Sequence, residues 1–115
     1  ARQTFARHAS EWLAREAPPG SVVMATDWDA IHFATGLPTV PLPVTGDPAK
    51  LREALAQTRP AFLVINAPRE HEYLLPPDHQ RLAALERELP GALAESYRTD
   101  AVTVLRVDPS RLGVR

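Results

Sequence analysis

The sequence predicts an α/β fold, with helices on both faces of a mostly parallel sheet. Three observations point there. Segments with apolar residues at helical spacing alternate with short, continuously apolar runs, as expected when strands are covered on both sides. Proline- and glycine-rich breakers fall between these segments and rarely inside them. The strongest apolar runs, Val22 to Ala25 and Ala61 to Asn66, each follow a helix-stopping proline pair or Arg-Pro step.

Taken in order, Phe5, Ala9, Trp12 and Leu13 lie on one face at helical spacing while Arg7, Glu11 and Arg15 lie on another, predicting an amphipathic helix from about Gln3 to Glu16. Pro18 and Pro19 end it, and a strand follows at Ser21 to Ala25. Thr26 or Asp27 is placed to cap a short helix carrying Trp28, Ile31 and Ala34, which Gly36 stops. A short strand is expected at Thr39 to Leu42. Asp47-Pro48 is a strong helix start, since proline's missing N–H costs nothing in the first helical position. Leu51, Ala54 and Leu55 form that helix's inward stripe, Arg59-Pro60 stops it, and Ala61 to Asn66 is expected as a central strand. Asp78 is expected to cap a last helix with Leu82, Leu85 and Leu89 inward, ended by Pro90-Gly91. Leu93 to Arg98 and Ala101 to Val107 read as an antiparallel hairpin at one edge. This order calls for a Rossmann-like three-layer sandwich: a mostly parallel sheet of about five strands with a C-terminal antiparallel hairpin.

A chain of 115 residues makes one domain and needs no disulfide or structural metal to hold its core. There is no cysteine, which excludes thiolate metal sites and thiol nucleophiles and leaves the redox compartment open. The net charge is -1, with both signs scattered and no basic stripe, so no nucleic-acid partner is expected. Twelve of the thirteen basic residues are arginine, with Lys50 the exception, a bias that reads as genomic coding preference or a preference for arginine ion pairs. No stretch approaches the ~20 apolar residues of a membrane span, and residues 1–10 lack the pattern of a signal peptide. The chain opens on Ala1 already close to a helical pattern, as expected of a fragment of a longer protein or of a processed chain.

In an open α/β sheet, ligands sit beyond the carboxyl ends of the strands. The candidate ligand-binding residues are therefore Asp27, Trp28, Asp29 and His32 after the first strand, and Asn66, Arg69 and His71 after the central one. Asp27 with His32 is an acid/base or metal-ligand pair in type; the plainer reading makes Asp27 a helix cap and His32 a surface residue. Arg69-Glu70-His71-Glu72 would present a cation to a phosphate or sugar, or else forms a solvated loop. His8 and His79 have no partner at a useful spacing, and no metal site is expected. Glycine-rich phosphate loops and a GxSxG nucleophile elbow are both absent, so no nucleotide cofactor and no catalytic residue is assigned.

Trp12-Leu13, then Pro18-Pro19-Gly20-Ser21-Val22-Val23-Met24, then Phe33-Ala34-Thr35-Gly36-Leu37-Pro38-Thr39-Val40-Pro41-Leu42-Pro43, together resemble the soluble C-terminal tail of bacterial polytopic glycosyltransferases. These are the dolichyl-phosphate-mannose protein mannosyltransferase-like membrane enzymes of the GT-C class. The shared features are a helix leaving the last span, P-x-G-x-V-V into a strand, a short helix, T-G-L-P turning into V-x-L-P, a further helix and an apolar strand, over about Trp12 to Val107. The resemblance implies a non-catalytic domain on the extracytoplasmic face of the cell membrane, beside the transmembrane part of the same polypeptide. It would assist docking of an acceptor peptide or glycan, or stabilise a transferase that uses a polyprenyl-phosphate sugar donor. The acidic catalytic residues of that class lie between membrane spans, and no position here matches them. The alternative is a free-standing α/β ligand-binding module, or a small cytoplasmic enzyme, using the groove at the strand carboxyl ends.

Overall fold

Proline and glycine set the first corner of the chain. The computed structural model describes residues 2–43, 47–66, 78–99 and 102–111. Helix α1 (Arg2–Glu16) closes with the Ala17 N–H on the Leu13 carbonyl, and a β-turn follows in which the Ser21 N–H reaches the Pro18 carbonyl at 3.1 Å. Pro19 and Gly20 hold its two central positions. Gly20 sits at φ 81°, a value that costs an L side chain energy and glycine none.

The turn delivers β1 (Val23–Ala25), buried throughout, and α2 (Trp28–Thr35) follows. Gly36 takes the left-handed conformation at φ 74° and donates its N–H to the His32 carbonyl, ending α2 as the sequence predicts. Then come β2 (Thr39–Pro41), α3 (Pro48–Thr58), β3 (Phe62–Asn66), α4 (Asp78–Glu88), β4 (Leu93–Arg98), β5 (Val102–Val107) and a single 3-10 turn at Pro109–Arg111. Asp47 caps α3 as expected, its carboxylate accepting the Ala49 N–H at 2.9 Å with Pro48 in the first turn.

The five strands form one sheet in the order β2-β1-β3-β5-β4. The β1 strand pairs parallel to both β2 and β3, while β5 pairs antiparallel to both β3 and β4. The sheet is therefore mixed, which corrects the expectation of a mostly parallel one. The cause lies in the last two connections. Helix α4 carries the chain past the position beside β3 to lay down β4 one place further out, and β5 then returns to fill the gap. The Thr99 N–H donates to the Val102 carbonyl at 2.8 Å where the two strands face each other.

Each face of the sheet has its own core. On one side Ala9 and Leu13 of α1 and Ile31 of α2 pack on Val23, Ala25, Phe62, Val64, Val102 and Val104. On the other, Leu51 and Leu55 of α3 and Leu82 and Leu85 of α4 pack on Met24, Leu63, Ile65, Leu93 and Val107. The alternation along β3 accounts for the split, since successive side chains of a strand point to opposite faces. Trp12 meets Phe62 edge-on, with ring centroids 5.7 Å apart, and stacks on Tyr97 at 5.6 Å.

Tyr97 reaches that face only because β4 is bulged. Glu95 lies opposite Leu105 and Tyr97 opposite Val104, so Ser96 is an extra residue with no partner position on β5. Leu93 and Tyr97, four apart, would share a face in a regular strand; the bulge sends Leu93 to one core and Tyr97 to the other. A bulge with Glu95 and Arg98 beside it also blunts β4 as an exposed edge. Pro38, Pro41 and Pro43 do the same for β2 at the opposite edge.

Candidate functional site

Parallel pairing brings the carboxyl ends of β2, β1 and β3 to one edge of the sheet. Ala25 lies beside Val64 on one side and Pro41 on the other. Asp27, Asn66 and Pro43, each two residues further along, therefore emerge at one level. Asn66 is also the last residue of β3 and pairs with Val102. The expectation that the two candidate loops begin at the same edge is met. The chain leaving β1 enters α2 on one face of the sheet, and the chain leaving β3 enters α4 on the other. The boundary between β1 and β3 is therefore the topological switch point of the sheet, the place at which open α/β sheets take ligands.

Asp27 stands at the head of α2 and is only 3% exposed. Its carbonyl accepts the Ile31 N–H at 3.1 Å, so its backbone begins the helix. Its side chain does not cap, contrary to expectation: φ -93° and ψ 44° lie outside the extended region from which a carboxylate swings onto the first-turn amides. Asp29, exposed in the first turn, accepts the Ala30 N–H at 2.9 Å instead, and its charge suits the positive end of the helix dipole. An acidic first turn disfavours a bound phosphate.

Trp28, the first residue of α2, is 43% exposed at this edge. His32 is exposed, and its Nδ1 lies 2.7 Å from the Leu37 carbonyl, so Nδ1 carries the hydrogen and donates it there. That bond, with the Thr35 hydroxyl donating to the Ile31 carbonyl at 2.7 Å and accepting the Leu37 N–H at 3.1 Å, ties the end of α2 to the turn entering β2. His32 is thus committed to local structure, and no interaction joins it to Asp27. Arg69 and His71 lie outside the described residues. Among the described residues no group of three or more His, Asp or Glu side chains is gathered to hold a metal ion.

Sequence reasoning overlooked Phe33. With Ile31 turned into the core, a residue two positions on points about 200° away around the helix. Phe33 is accordingly 93% exposed. With Trp28 it makes up the large exposed hydrophobics among the described residues, and both stand on this one short helix. The signal was present in the spacing from Ile31.

No helix among the described residues is long and apolar enough to cross a membrane. No known protein-family model matches this chain, and no curated protein sequence matches it.

Proposed function

We propose that the chain is a non-catalytic domain of a membrane glycosyltransferase that transfers a sugar from a polyprenyl-phosphate donor, and that it assists acceptor docking or the stability of the enzyme. In this reading it lies on the extracytoplasmic face of a bacterial membrane, beside the transmembrane part of its own polypeptide, and its architecture is a variant of the Rossmann-like class. The observation that carries the proposal is the order of parts along the chain. The quoted motifs fall on structural joints: Pro18 to Ser21 makes the turn into β1, and Gly36-Leu37-Pro38 leads from the left-handed stop of α2 into β2. The reading also accounts for a chain to which no catalytic residue is assigned. The open reading frame on the N-terminal side of Ala1 tests it. Several apolar spans immediately upstream support the proposal, and a start codon there contradicts it.

The divergence of α2 and α4 to opposite faces favours a second reading, a ligand-binding module whose crevice lies between β1 and β3. Trp28 offers a flat apolar face of the kind sugars stack on, and Asp29 offers hydrogen bonds to hydroxyls. A chemical-shift map with an oligosaccharide or an acceptor peptide tests this. Shifts clustered on residues 26–32 and Asn66 support it; shifts confined to residues 90–99, or none at millimolar ligand, remove it.

A further inference from the structure

We draw no further inference here: the strongest candidate, the outward face of α2 on which Phe33 stands almost fully exposed, is an unpartnered apolar face, and nothing in the structure shows what covers it.

Discussion

Replacing Ser10 with alanine should stabilise the protein. Ser10 lies inside α1, is 5% exposed, and its hydroxyl oxygen is buried with no hydrogen-bond partner among the described residues. A buried hydroxyl without a partner costs about 1–3 kcal/mol relative to water. Alanine in a helix interior adds about 0.5 kcal/mol of propensity over serine. Against this, removing one oxygen leaves a gap smaller than a methyl group, which returns less than about 1 kcal/mol. The net expectation for Ser10→Ala is about 1–2 kcal/mol of added stability. Urea unfolding followed by far-ultraviolet circular dichroism reads it directly: the midpoint should rise by roughly 0.5–1 M with an unchanged slope, because the surface exposed on unfolding is the same. A fall in midpoint of similar size would refute the reasoning, since it would mean that the hydroxyl makes a hydrogen bond worth more than its burial costs.

The same assay separates three further residues. Val64→Ala should lose about 1–3 kcal/mol, through two carbons removed from a buried site on the central strand and the cavity left behind; a loss under a few tenths would mean that β3 is misplaced. Arg59, which ends α3 at φ 47°, is the one non-glycine residue at positive φ among the described residues, so Arg59→Gly should gain up to about 1 kcal/mol; a loss would show that its side chain contributes more than its backbone strain costs. Asp108 is held below the ordinary carboxyl value of 3.8 because the Ser110 hydroxyl, at 2.6 Å, and the Ser110 N–H, at 3.0 Å, both donate to it, with Arg111 adding a favourable charge. Since its folded value is depressed, the stability it contributes is present above about 4 and is lost as pH falls through the folded value. Asp108→Asn should therefore change the pH dependence of stability only in acid, and an NMR titration placing the carboxyl at or above 3.8 would contradict this.

Most of the elements were legible because their signals are local. Pro18 to Gly20, Gly36 and Asp47-Pro48 each act within one turn of chain, and each does in the structure what its chemistry requires. Val23, Leu55, Phe62 and Val64 are buried as continuous apolar runs and an inward helical stripe demand. Strand ends were less legible. The expected start at Ser21 and end at Leu42 overran β1 and β2 by two residues and one, although Val22 and Leu42 still make backbone hydrogen bonds to Ala61 and Ala25. Strand order was hidden for a stronger reason. Whether β4 or β5 lies beside β3 depends on how far α4 carries the chain before it returns, a distance no local pattern sets, although Glu95 and Arg98 mark β4 as the more polar strand. The Ser96 bulge was equally hidden, because it shows only in the pairing of β4 with β5, where it sends Leu93 and Tyr97 to opposite cores.

At the candidate site, the sequence placed Asp27 and Asn66 at one sheet edge because the parallel pairing of two buried strands is a consequence of the crossover between them. It could not give the side-chain roles. The same short polar residue serves as a cap or turns inward according to a backbone angle that no local pattern fixes, and Asp27 turned inward while Asp29 took the first-turn amide. Residue type alone left His32 open as an acid, base or ligand beside the plainer reading of a surface residue; it is exposed, and its ring is fixed by a carbonyl five residues on.

The proposal that the chain is the non-catalytic part of a membrane transferase has a direct test. The most direct test expresses the complete open reading frame that contains these residues, separates membranes from soluble material, and measures sugar transfer from a polyprenyl-phosphate donor, with residues 1–115 alone assayed in parallel. The account predicts transfer by the membrane fraction and none by residues 1–115. Recovery of the complete product as a soluble protein without transferase activity, or transfer by residues 1–115 alone, would contradict it.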